Sequence, residues 1–185
     1  MSDHFVPPPR GGLLGQWDQF VGPGATRGEN LGTLSSAALG LLVAARTTQP
    51  DRLRRHIALL LAADLFGGVW ANATPAATRW YHRPGQGVRQ HLLFSAAHLH
   101  PFVVAWLYRD REWRFAVGNY AYLLAATAAV GLTPRQGRHA IALALWVGAL
   151  WLNTARWRPT TGLRWFAPVF FFKLLVSHAA GGVRR

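Results

Sequence analysis

Three stretches of this sequence put polar, chemically competent side chains into apolar surroundings. Asp64 stands in "LLLAADLFGGVWAN", residues 59 to 72, and Lys173, the chain's single lysine, stands in "FAPVFFFKLLVSHAA", residues 166 to 180. Between them lies "RQHLLFSAAHLHPF", with His91, His98 and His100. A carboxylate and an ammonium at similar depth in an apolar medium can neutralise each other or pass a proton. Neutral imidazoles with one carboxylate are also the usual ligand set for zinc, copper or non-haem iron where thiolates are absent.

The spacing sorts these residues into candidate sites. Asp64 has Gly67, Gly68, Ala71 and Asn72 as helical neighbours, a small face that lets another helix or a ligand come close. Asp64, Asn72, His98, His100 and Lys173 therefore form a candidate intramembrane polar site. His91 and His98 are seven residues apart and share a helical face, whereas His100 points the other way, just before Pro101. His82, His91, His98 and His178 are the candidate metal ligands, and a haem held by two histidines is the other cofactor the imidazoles allow. Neither carries a specific motif: HExxH and dense histidine boxes are both absent. A lysine opposite an aspartate also suits a retinal Schiff base, but six spans and the lack of flanking signatures argue against it. The loop "NATPAATRWYHRPGQGVRQ" adds Arg79, Arg83 and Arg89 as candidate lipid or anion contacts, with Trp80, Tyr81 and His82 able to cap the bundle.

The elements that position these residues follow from composition. The chain of 185 residues is 51% hydrophobic and only 15% charged, with 20 basic side chains against seven acidic ones. The arginines cluster at the ends of apolar blocks, which fits lipid headgroups and not a nucleic-acid groove. There is no cysteine, which excludes disulfides and thiolate metal sites. Apolar blocks fall near 31–46, 57–73, 91–108, 115–133, 140–154 and 165–181. A span takes about 20 residues, so the first and fifth are marginal. Tryptophans near the block ends suit an interfacial belt.

The expected fold is all-α: an integral membrane bundle of six transmembrane helices over 31–185, preceded by an arm, 1–30. In the arm, "GLLGQWDQFV" places Leu13, Trp17, Phe20 and Val21 on one face and Gln16, Asp18 and Gln19 on the other. That pattern suits a short interfacial amphipathic helix, or an arm folded over the bundle. "MSDHFVPPPRGG" lacks the pattern of a cleaved signal. With six spans, loops 46–56, 109–114 and 155–164 share one side. Arginine counts of nine and ten on the two sides leave orientation open.

The pattern D-L-F-G-G-x-x-A-N-x-T, followed by the Tyr-His loop and a third block ending in "AWLY", is similar to small bacterial multi-pass membrane proteins of uncharacterised function over residues 64 to 108. The resemblance implies a bacterial inner-membrane protein and no particular activity. Two functions fit the residues. One is a translocator or small enzyme using the polar centre for protons, a metal or a small solute. The other is a non-catalytic accessory or assembly subunit, with Asp64 and Lys173 as an internal clamp. The expected partners are membrane lipids and further membrane subunits or a second copy, and not nucleic acid.

Overall fold

Short-range chemistry starts the helices where the apolar blocks begin. Thr26 and Glu29 form a reciprocal capping box, the Asp51 side chain accepts from the Arg54 N–H, and Thr74 accepts from Ala77 N–H ahead of Pro75. Each supplies an acceptor for a backbone donor that a helix start leaves unpaired. The computed structural model describes residues 6–47, 51–107, 113–157 and 164–181, and every regular element among them is helical. The α-helices are α1 (Gly12–Val21), α2 (Arg27–Ala45), α3 (Arg52–Ala73), α4 (Pro75–Tyr81), α5 (Val88–Ala96), α6 (His100–Leu107), α7 (Trp113–Leu132), α8 (Arg138–Ala155) and α9 (Phe166–Phe171). A π-helical run, Phe172–Ala179, continues α9 directly.

All six apolar blocks become helical, but they do not give six long spans. Among the described residues, only Arg52–Ala73 and Trp113–Leu132 are long and apolar enough to cross a membrane. Polar ends dilute α2 (Arg27, Glu29, Asn30) and α8 (Arg138, His139, Asn153). The third block is broken between α5 and α6 at His98 and Leu99. Pro101 causes the break: its ring has no N–H to offer the Ala97 carbonyl four residues back and crowds that carbonyl, so the winding opens at His98 and Leu99. The sixth block changes winding from α to π partway along. Loop residues 108–112 and 158–163 lie outside the described residues, so the shared side expected for loops 109–114 and 155–164 is only partly covered.

The sixth block is the packing centre. Phe166, Phe170, Phe171, Leu174 and Leu175 are fully buried against α3, α7 and α8. α2 and α3 pair along small residues: Gly40 lies against the Ala62 carbonyl, Gly67 against Ala37, and the Ser36 hydroxyl donates to the Phe66 carbonyl at 2.8 Å. Buried polar pairs join the other helices. Ser95 and Thr127 hydroxyls lie 2.9 Å apart between α5 and α7, and Asn153 donates to Asn119 at 2.8 Å between α8 and α7. The outward faces are apolar: Leu34, Leu39 and Leu42 on α2, Val117 on α7, and Leu143, Val147 and Trp151 on α8 are exposed.

The arm folds over the bundle. Val21 and Gly22 are buried, Gly22 lies directly on the Ala76–Ala77 backbone of α4, and the Tyr81 hydroxyl donates to the Gln19 carbonyl at 2.7 Å. The faces expected for α1 are rearranged. Asp18, assigned to its polar side, is buried and held by Arg10, whose backbone N–H, Nε and Nη2 donate to the carboxylate at 2.9, 2.8 and 2.7 Å. Leu13, assigned to the docking face, is 89% exposed. The Arg10 bonds hold the Asp18 carboxyl below its ordinary value of 3.8. A depressed acid stabilises the folding of the Arg10 segment onto α1 fully above that ordinary value, and the contribution is lost as pH falls through the lower folded one. Asp18→Asn should release the segment ahead of α1 from that helix at neutral pH. Asp18→Asn is expected to raise the rate of tryptic cleavage after Arg10 several-fold, and an unchanged rate would mean that the Arg10–Asp18 pair does not fix this segment on α1.

Candidate functional site

The site is built by two departures from α-helical geometry. In a continuous α-helix, His98 and His100 would point roughly 160° apart. The break at Pro101 cancels that separation: their rings stack with centroids 5.2 Å apart, contrary to the opposite directions expected from spacing. The break also leaves the Phe94 carbonyl to accept from His98 Nδ1–H at 2.7 Å. On the facing segment, Lys173 and His178 are five residues apart, about 140° in an α-helix. The wider i to i+5 winding reduces that angle and aims both toward α3 and α5; π segments are rare and recur at functional sites.

Asp64 joins the two segments. Its Oδ2 accepts from Lys173 Nζ at 2.6 Å and from His100 Nε2 at 2.9 Å. The Lys173 side chain is 2% exposed and the Asp64 side chain 38%. The ammonium is therefore sealed, while the carboxylate that neutralises it keeps an accessible side. Gly68 makes room for this arrangement, since a Cβ there would collide with Cε of Lys173. Gly67 instead faces α2, so the two glycines serve different neighbours and not one approach face. Asn72 is buried and donates a long bond, 3.5 Å, to the Lys173 carbonyl. The five residues expected to form the polar site thus lie around one carboxylate, with His98 joined through His100 and Asn72 reaching only the lysine's backbone.

A second imidazole group lies toward one end of the bundle. His91 Nδ1 and His178 Nε2 are 3.1 Å apart, and His82 Nε2–H donates to the His178 carbonyl at 2.8 Å. His178 Nδ1 is buried without a partner. An unpaired lone pair is cheaper than an unpaired N–H, which assigns the proton of His178 to Nε2, donating to His91 Nδ1. Tyr81 covers His178 edge-on at 4.8 Å, and burial pushes its phenol up to about 12. Of the candidate metal ligands, His82, His91 and His178 come together, while His98 belongs to the Asp64 group. Among the described residues no set of three or more His, Asp or Glu side chains is placed to hold a metal ion. The Phe94 ring separates the two groups, stacked on His178 at 3.9 Å and tilted against His98 at 4.5 Å.

The three arginines expected to contact lipid or anions differ in their surroundings. The Arg83 guanidinium lies over the Trp80 ring at 3.7 Å and donates to the Trp80 carbonyl. Arg79 lies near Glu29, which also accepts from the Ala76 N–H, and Arg89 is exposed. Spacing gave no sign of Phe94 as a divider or of Arg135 and Arg138 as cleft residues; both arginines read simply as loop charges.

A pair with one sealed partner predicts an asymmetric mutational response. Removing one member of a buried pair commonly costs ~3–5 kcal/mol, because the other charge is left uncompensated. Asp64→Asn is expected to destabilise the detergent-solubilised protein on that scale in denaturant melts, and adding Lys173→Met to recover part of the loss. A double variant no more stable than Asp64→Asn would contradict the pairing. No protein-family model, curated protein or solved structure matches this chain, and the site is read from its own chemistry.

Proposed function

We propose that this chain is a multi-pass integral membrane protein of the bacterial inner membrane that handles protons at an intramembrane centre formed by Asp64, Lys173 and His100. One observation carries the reading: the carboxylate shared by a sealed ammonium and an imidazole is itself 38% exposed. An ion pair serving only as a clamp is best closed on both sides, since access to water weakens it. A proton arriving at the exposed side can neutralise the carboxylate as Lys173 gives up one of its own, so the centre passes a proton on without leaving an unpaired buried charge. Ionisable side chains at membrane depth are costly and commonly mark proton or solute paths.

The membrane setting is supported by the outward Leu, Val and Trp side chains and by the two long apolar helices. Only 44% and 39% of their apolar windows are buried, so both present much of their surface outward, unlike the core helix of a water-soluble bundle. Crossing by the shorter helices requires α5 with α6, and α9 with the π run, to act as broken spans. Broken spans are tolerated where neighbouring helices satisfy the freed backbone groups, as His98 does for the Phe94 carbonyl.

The test is proton flux into liposomes holding the purified protein and a pH-sensitive dye, driven by a potassium-diffusion potential. Wild-type protein is expected to acidify or alkalinise the lumen according to the sign of the potential, and Asp64→Asn to reduce flux to the level of empty vesicles. His100→Gln should reduce it by about 10²-fold or more, the scale on which a positioned proton-transfer group acts. Wild-type vesicles no more permeable than empty ones would overturn proton translocation and favour the accessory subunit, with Asp64 and Lys173 as its internal clamp.

A further inference from the structure

At the end of the bundle nearest His91, the turn after α4, the start of α5, the α7–α8 turn and the end of the π run enclose a cleft of about 620 Å³. Its wall carries His82, His91, Arg135, Arg138 and His139, and none of the lining residues is acidic. The cleft differs from the Asp64 centre in the sign of its charge and in its position. Two fixed cations with three imidazoles, no counter-carboxylate in the lining and room for a small molecule call for an anionic occupant.

We propose that this cleft binds a phosphate monoester group. The donors are already arranged. Arg138 donates through Nε to the Thr133 carbonyl and through Nη2 to the Gly131 carbonyl, both at 3.0 Å. These bonds tie the guanidinium to the end of α7, so a ligand need not immobilise it. α8 begins at Arg138 directly after a 3-10 turn, Arg135–Gly137, that takes up its first backbone N–H. The positive end of this 18-residue helix lies at the wall and favours an anion there. The tautomer assigned to His178 leaves His91 protonated on Nε2, a donor and not an acceptor. His139 Nε2 is buried without a partner in the same wall.

A tetrahedral dianion uses this arrangement better than a carboxylate. Its three terminal oxygens can accept from a guanidinium fork and from imidazoles in different directions, while a carboxylate offers two oxygens in one plane. The volume exceeds what a phosphate alone fills. Val88 and Ala180 supply an apolar wall for an organic group attached to it. The ester is either a lipid headgroup, such as the phosphomonoester of phosphatidic acid, or a soluble phosphate compound.

Binding is measured on the full chain, first in a maltoside detergent by calorimetry with inorganic phosphate and with glycerol 3-phosphate. The protein in phosphatidylcholine nanodiscs, with and without phosphatidic acid, is then examined by native mass spectrometry. Saturable one-to-one binding of glycerol 3-phosphate assigns a soluble ester, and retention of phosphatidic acid without it assigns the lipid. In either case Arg135→Gln, at an exposed position that caps nothing, should weaken binding about tenfold, the scale of one charge-assisted hydrogen bond. His139→Gln should also weaken it. Arg138→Gln should weaken it further, but also removes two bonds at the end of α7, so the other two variants decide. Failure of every probe to bind, or binding unchanged in both Arg135→Gln and His139→Gln, would overturn the proposal. No proton gradient enters these measurements, so a negative flux result leaves this site standing.

Discussion

A fully buried ammonium dominates the organisation of this molecule. Taking a lysine headgroup out of water costs several kcal/mol even after relaxation, and the cost is offset only if a carboxylate meets it at close range. Lys173 lies in a run of fully buried residues, between Phe170 and Phe171 on one side in the chain and Leu174 and Leu175 on the other. Asp64 must therefore stand opposite, Gly68 must lack a side chain, and the segment carrying Lys173 must wind so that its stem reaches α3. The π run, the glycine and the acid are three consequences of one desolvated charge.

The rest of the bundle uses polar contacts sparingly and in pairs. Ser95 with Thr127, Asn119 with Asn153, and Ser36 with the Phe66 carbonyl each join two helices through small polar groups. In a medium without water such bonds add specificity to packing that apolar contacts alone leave loosely registered. Glycines at 32, 40 and 67 let α2 lie close on α3. An apolar exterior, polar contacts between buried side chains and close small-residue seams occur together in this bundle.

Two polar centres of opposite character lie along the same inner surface. The Asp64 centre brings one acid to one amine and one imidazole. The His91–His178 centre opens onto a basic cleft. Phe94 stacks between them and keeps the two hydrogen-bond systems separate, since no described hydrogen bond crosses its ring.

The sequence by itself determined the helical character, the apolar blocks and the residues that are expensive to bury. Each follows from composition and local pattern: apolar runs, capping residues such as Thr26 and Asp51, and ionisable groups stranded in apolar stretches. It also brought Asp64, Lys173 and the third-block histidines under one heading, because depth along a helix can be counted residue by residue. It did not reveal direction. His98 and His100 stack only because Pro101 interrupts the winding, and Lys173 and His178 aim at one side only because their segment is π-helical. A helical wheel assumes constant winding, so it misreads side chains at such interruptions. Nor did it reveal that Asp18 is clamped inside, or that Arg135 and Arg138 meet His82 and His91 across one cleft. The Arg10–Asp18 bonds span eight positions across the irregular chain ahead of α1, and the cleft joins residues tens of positions apart; local pattern encodes neither, and packing decided which of them meet.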